Sequence, residues 1–331
     1  MVDPVERGAL MYAAVLHTIG TAPRYEEFPE PVLSDNDAEA IVHVHAASLK
    51  PVDKQLASGS HYASRLELPC VCGSDGVGHL DDGQRVFFGG PRAPHGAMAQ
   101  RTVVPRAFTF PVPESVDDDS AAALPNPGVS AWLSLAYRAK LGRGENVLIL
   151  GATGVTGKLA VQIAKLLGAA RVIAAGRNQQ ALRTLHALGA DATISLALPE
   201  NELSQAFVRE VGQSGFQVVI DYVWGRPAET FLAAIKRREF AVIKSETRFV
   251  QVGESAAPTI TLPAAVLRST ALTILGTAGI PPRNILFEAF QKVMAHAAKG
   301  ELQIDTERVP LADIENAWQR DQSGRRLVVR T

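Results

Sequence analysis

The chain has 331 residues, of which 47% are hydrophobic and 20% charged, with a formal net charge of −1. That length suits two domains better than a single core, and the balance of charge speaks against both a nucleic-acid binder and an acidic disordered chain. No apolar run reaches the roughly 18 residues that a membrane span needs.

Residues 1–10 (MVDPVERGAL) lack the basic-then-apolar plan of a signal peptide. They read as a short loose extension, with Met11 as an alternative start. The two cysteines, Cys70 and Cys72, have one residue between them. That spacing is poor for a disulfide, so reduced thiols and a cytoplasmic location are expected.

The first third reads as β-rich. Residues 40–44 (AIVHV), 85–88 (RVFF) and 99–104 (AQRTVV) are strand-like, broken by turn signals at 34–37, 73–78, 81–83 and 89–94. Short strands at this spacing predict a sandwich or partial barrel. The texture changes near residue 120, where 121–124 and 129–139 read as helices separated by Pro125 and Pro127. Residues 146–150 (NVLIL) then form the kind of nearly continuous apolar strand that a buried parallel sheet requires. From there strands (171–175, 218–221, 249–252, 271–275) alternate with helices (179–188, 203–212, 228–237), which predicts a doubly wound parallel sheet. A helix at 287–299, a short one at 313–320 and a strand at 327–329 complete the chain. The expected fold is thus α/β, a β-rich domain and a Rossmann-type domain.

The most informative stretch is VLILGATGVTGKLAVQIAKLLG, residues 147–168. A buried strand enters the turn Gly151-Ala152-Thr153-Gly154-Val155-Thr156-Gly157, and a helix leaves it. This is the dinucleotide fingerprint with alanine at its first glycine position. Gly154 lets a pyrophosphate approach the backbone, Gly157 lets the helix pack against the strand, and the helix N-terminus offers free N–H groups. An NAD site places an acid at the end of the next strand to hold the ribose 2′-hydroxyl. Here that strand runs into Gly176-Arg177-Asn178. An acid would repel a 2′-phosphate, whereas Arg177 pairs with one, so the expected cofactor is NADPH.

In the order and spacing of its motifs the chain resembles the medium-chain dehydrogenase/reductase superfamily, in its zinc-free NADPH:quinone oxidoreductase-like branch. The resemblance rests on Gly73–Gly78, Gly96 to Ala99, 121–124, Ser130-Ala131-Trp132, Gly151–Gly157, Ile220-Asp221, Val252-Gly253 and 324–329. It implies a GroES-like catalytic domain built from residues 1–127 and 278–331, and a Rossmann domain over 128–277. It also places Val252 and Gly253 near the nicotinamide.

Zinc-dependent members need a Cys and a His-Glu pair around a catalytic metal. The corresponding stretches here are Ser48-Leu49-Lys50 and Ser74-Asp75, so no metal is expected. The resemblance makes Lys50, Asp53 and Tyr62 pocket residues. Lys50 stands where the family commonly has Asn, and either stabilises a substrate oxygen or pairs with Asp53. Tyr62 is a proton or hydrogen-bond donor, or a core tyrosine. Asn126 contacts the substrate or the nicotinamide, or caps the crossing helix, the cap being favoured.

The activity implied is hydride transfer from NADPH to a small electrophilic acceptor, a quinone or an α,β-unsaturated carbonyl. The alternatives are a dinucleotide-binding redox sensor or scaffold with little turnover, and an alcohol dehydrogenase. A homodimer joined through the 271–275 strand is expected, with neither nucleic acid nor membrane as partner.

Overall fold

The computed structural model describes residues 9–34, 37–61, 64, 67–212, 215–236, 246–277, 279, 281–320 and 324–331. The chain divides into two units, Met1–Pro125 with Ile304–Thr331, and Asn126–Gln303.

Eight strands open the first unit: β1 (Leu10–Leu16), β2 (Arg24–Pro29), β3 (Glu39–Leu49), β4 (Cys70–Val71), β5 (Asp75–Leu80), β6 (Arg85–Gly89), β7 (Arg101–Pro105) and β8 (Thr109–Pro111). Helix α1 (Pro51–Ala57) follows β3, and α2 (Asp118–Ala123) follows β8. Strand β1 is covered on both faces. Met11, Ala13 and Val15 pack with Phe28, Val71 and Ala99, while Ala14 and Leu16 join the larger core of Val42, Phe88 and Met98. Cys70 and Cys72 are free thiols facing that larger core. Asp117 starts α2 by accepting hydrogen bonds from the N–H groups of Asp119 and Ser120, the usual work of an N-cap aspartate.

The second unit begins within α3 (Pro125–Trp132), at Asn126, and α3 runs into a π-helical segment, Leu133–Arg138. Pro125 and Pro127, which read as breaks between helices, instead sit in the first turn of α3, where a missing N–H costs nothing. Then come β9 (Asn146–Leu150), α4 (Val155–Leu166), β10 (Arg171–Gly176), α5 (Gln179–Thr184), β11 (Ala192–Ser195), α6 (Glu200–Val211), β12 (Val218–Asp221), α7 (Gly225–Ile235), β13 (Thr247–Gln251), α8 (Ala264–Ser269), β14 (Leu272–Gly276) and α9 (Arg283–Ala298). The six strands form one parallel sheet in the order β11-β10-β9-β12-β13-β14. Leu148, Leu150, Val219 and Phe249 fill its core together with Phe207 and Phe231 from α6 and α7.

The chain returns to the first unit at Ile304, not at residue 278. Helix α9 stays with the second unit because Trp132 of α3 stacks on its His296. Gln162 of α4 then fixes the end of the segment, accepting from the Gln303 N–H at 2.8 Å and donating to its carbonyl at 3.0 Å. Helical periodicity does not say which neighbour a helix packs against. Strands β15 (Thr306–Pro310) and β16 (Arg326–Arg330), with α10 (Ile314–Gln319) between them, close a sheet ordered β15-β16-β3-β5-β6-β8, and β7 pairs with β3. β3 accommodates two partners on one side because its first half pairs with β7 and its last residues pair with β16. A register shift opposite β5, between Val44 and Ala46, marks the changeover.

Candidate dinucleotide site and the first-unit cavity

The turn after β9 is shaped by what its glycines leave out. Gly151 has a φ of +87°, in the left-handed region. A Cβ on Gly157 would lie 2.3 Å from the Gly151 carbonyl oxygen, so the start of α4 packs directly on the turn. A Cβ on Gly176 would lie 2.4 Å from Thr153 Cγ2, so the end of β10 packs on the same turn. The N–H groups of Gly151 and Ala152 donate to the Ala175 carbonyl at 2.9 and 2.8 Å, tying the turn to β10.

Gly154 differs from the others. It is exposed, it is the N-cap of α4, and a Cβ there would meet only the Gly151 carbonyl oxygen, at 3.5 Å. Gly151, Gly157 and Gly176 are thus needed by the protein itself, while Gly154 leaves open space at a helix N-terminus. That space, beside N–H groups with no carbonyl one turn back to accept them, fits a pyrophosphate. Val155 and Thr156, half-buried, form the first turn of that helix.

At the end of β10, Gly176 is buried and Arg177 exposed. Asn178 is the N-cap of α5, its side chain accepting from the Ala181 N–H at 3.0 Å. No acid stands there. Ser195 pairs in register with Gly176, which places it beside the same loop.

The ends of β12 and β13 complete the rim of the sheet. The N–H groups of Val252 and Gly253 donate to the Asp221 carbonyl at 2.8 and 3.1 Å. A Cβ on Gly253 would come within 2.8 Å of the Tyr222 carbonyl oxygen. Asp221 is fully buried, and its Oδ1 accepts from the N–H groups of Val223 and Trp224 at 2.9 and 3.0 Å. Burial outweighs those bonds and pushes its carboxyl up to about 6. The same bonds hold Trp224 at a φ of +55°, a conformation rare for a bulky side chain.

In the first unit the sequence leaves two roles open for Lys50, and the structure shows the ion pair. Its side chain is 1% exposed, with Nζ 2.7 Å from Asp75 Oδ1 and 3.2 Å from Asp53 Oδ2, and it donates to the Ser48 carbonyl at 3.0 Å. Arg326, also buried, donates to the Leu49 carbonyl at 3.2 Å and feels both carboxylates. Burial alone would lower the Lys50 pKa, but the facing Asp53 and Asp75 charges hold it above the ordinary value.

Asp53 is committed elsewhere as well. It accepts from the Lys50 N–H at 2.9 Å, from the Ser74 N–H at 3.1 Å and from the Ser74 hydroxyl at 2.8 Å. Asp53 and Ser74 line a cavity of about 220 Å³ whose walls include Leu16, Leu56, Val71 and Pro91. Lys50 is not among its lining residues. Cys70, Cys72 and His95 also border the cavity. Burial keeps both thiols protonated and lowers the His95 pKa. Among the described residues no three His, Cys, Asp or Glu side chains are grouped to hold a metal ion.

Tyr62 lies outside the described residues. Asn126 is exposed and is the second residue of α3, so it stands inside the helix it is expected to cap. Sequence reasoning missed Asp75 and Arg326 as partners of Lys50, because only Asp53 is near it along the chain. It also passed over Tyr222, which directly follows the strand beside β9 and has a buried hydroxyl with no hydrogen-bond partner among the described residues.

A glycine turn on a doubly wound parallel sheet, in a chain with a separate antiparallel β unit, defines a dinucleotide-binding protein of the Rossmann type. The family model described as zinc-binding dehydrogenase matches residues 155–299, all within the second unit. A probable NADPH-dependent quinone reductase of Emericella nidulans is 29% identical over 65% of this chain and 62% of its own length, so the match spans less than two thirds of that relative. A quinone oxidoreductase-like protein 2 of Bos taurus is 28% identical over 82% of this chain and 76% of its own. Among solved structures, the quinone oxidoreductase of Thermus thermophilus, described also in complex with NADPH, is 27% identical, with a TM-score of 0.79 over 97% of this chain and 100% of its own. The family model and these relatives, which are of the quinone oxidoreductase type, support a place for the chain in the medium-chain dehydrogenase/reductase superfamily of oxidoreductases.

Proposed function

We propose that this protein is a zinc-independent, NADPH-dependent reductase whose acceptor is a quinone or an α,β-unsaturated carbonyl. The observation that carries the cofactor is the pairing of an open phosphate turn at Gly154 with an exposed Arg177, and no acid, at the end of β10. The second unit's turn would hold the pyrophosphate, and Arg177 the 2′-phosphate. Val252 and Gly253 would border the nicotinamide. NADPH, when bound, supplies the hydride.

The acceptor reading rests on the largely apolar wall of the first-unit cavity and on the named relatives. Lys50 acts in it as a positioning residue: it holds Asp53, which in turn fixes the Ser74 hydroxyl. Tyr62 remains the proposed donor to the reduced oxygen. Zinc independence is supported by the side chains at the expected ligand positions, since the Lys50 ammonium and the Ser74 hydroxyl are both bonded to carboxylates there.

Steady-state oxidation of NADPH with a panel of quinones, enones, enals and simple ketones tests the reading. Turnover with the electron-poor acceptors and none with the ketones is expected. Background rates with every acceptor, despite tight NADPH binding, would replace it with a dinucleotide sensor. Stoichiometric zinc by elemental analysis would overturn the metal-free part.

A homodimer through β14 is part of the same proposal. β14 ends the sheet, with Ile274 37% exposed, and pairing with a second copy would cover that edge. Ile274→Glu should convert a dimer to a monomer in light scattering.

A further inference from the structure

Tyr222 is a residue of the candidate dinucleotide site whose side chain neither the phosphate turn nor the Asp221 loop uses. It follows β12 directly. Its N–H donates to the Leu150 carbonyl at 3.1 Å, and its carbonyl accepts from the Ser255 hydroxyl at 3.2 Å, so its backbone is held on both sides. Its Cβ lies 3.2 Å from where a Cβ on Gly151 would sit. The ring is half-buried, yet the hydroxyl oxygen is fully shut from solvent and has no hydrogen-bond partner among the described residues.

A buried hydroxyl without an acceptor is costly, and phenylalanine would fill the same space without that cost. Such a group is retained where something else completes it.

The position says what completes it. In the sheet order, β10 lies on one side of β9 and β12 on the other. The chain leaves β9 toward β10 and later returns to the opposite flank, so the switch point lies between β9 and β12. That is where ligands of doubly wound sheets bind. Gly151 and Tyr222 stand side by side at the strand ends flanking it. With the adenosine side directed over β10 toward Arg177, the other half of a dinucleotide runs over β12.

We infer that Tyr222 is a cofactor-binding residue whose hydroxyl donates to an oxygen on the nicotinamide-mononucleotide half of the dinucleotide. The inference rests on the reading of the Gly151–Gly157 turn as a dinucleotide site. It makes the free protein carry an unpaired donor that cofactor binding satisfies. Removing the hydroxyl therefore separates two quantities: cofactor affinity falls, while the free protein is not destabilised.

The experiment compares wild type with Tyr222→Phe. Affinities for NADPH and for 2′,5′-ADP, which lacks the nicotinamide half, are measured by titration, and the melting temperature is measured without nucleotide. The expected loss is about 5- to 10-fold in NADPH affinity, the size of one good hydrogen bond, with 2′,5′-ADP affinity unchanged and the melting temperature equal or higher. Unchanged NADPH affinity would overturn the inference and leave the dinucleotide site standing. An equal loss for both nucleotides, or a melting temperature several degrees lower, would show a structural hydroxyl and overturn it too. A wild-type protein that binds neither nucleotide would remove the site and the inference together.

Discussion

The two units solve opposite problems at their candidate sites. The second unit makes room: Gly151, Gly154, Gly157, Gly176 and Gly253 matter for atoms they lack, and four of the five are places where a side chain would strike its neighbours. The first unit fills room: two cations and two carboxylates, Lys50, Arg326, Asp53 and Asp75, are packed together out of water. A site made of omitted atoms tolerates a ligand's charge because backbone N–H groups and a helix end receive it. A site made of buried charges is self-contained, and its worth lies in every member being present.

The largest effect should come from breaking the charged cluster. Lys50→Met leaves Asp53 and Asp75 without their ammonium and should cost about 3–5 kcal/mol of stability, read as a lower denaturant midpoint. The double variant Lys50→Met with Asp75→Asn should recover part of that loss. A single variant as stable as wild type would show that the cluster is not holding the first unit together.

The glycines permit a sharper test within the second unit. Gly157→Ala drives a methyl group into the Gly151 carbonyl and should both destabilise the protein, by about 2–4 kcal/mol, and abolish measurable nucleotide binding. Gly154→Ala has open space around it and should melt as wild type does, while weakening NADPH about tenfold or more by occupying the phosphate's approach. If both variants behaved alike, the distinction between glycines kept for packing and a glycine kept for a ligand would fall.

Asp221 gives the second unit one buried charge of its own. Its carboxyl is raised by burial from 3.8 to about 6, so the folded state takes up a proton more readily than the unfolded chain. Stability from this group is fully present below about pH 4 and is lost as pH rises through about 6, a change on the order of 2–3 kcal/mol. Asp221→Asn keeps an oxygen for the Val223 and Trp224 N–H groups and cannot ionise. The stability difference between wild type and this variant should therefore shift in favour of wild type as pH falls from 7 to 4. A pH-independent difference would contradict the raised carboxyl.

The same contrast explains what was legible in the amino-acid sequence. The parallel sheet announces itself because strands such as 147–150 are buried on both faces, and the turn because glycines at fixed spacing have local causes. The first unit is harder to read. β2 (RYEEFP) carries charge on half of its length, so it shows no alternation. β15 alternates weakly, and α1 is only 7 residues long. The Lys50 cluster draws on residues 25 and more positions away, Asp75 and Arg326. Local spacing revealed only Asp53, which is why Lys50 read equally well as a pocket residue. Helix α9 has clear periodicity, but its allegiance depends on Trp132 and Gln162, far back in the chain.

The smallest effect is the one on which the assignment most depends. NADPH and NADH affinities should be measured by fluorescence titration for wild type and for Arg177→Ala. Wild type should bind NADPH at least about tenfold more tightly than NADH, and the variant should lose most of that preference, about 1.5 kcal/mol for a charge-assisted pair, while its NADH affinity stays the same. Equal affinities in wild type, or a preference that survives loss of Arg177, would contradict the assignment of this protein as an NADPH-dependent reductase.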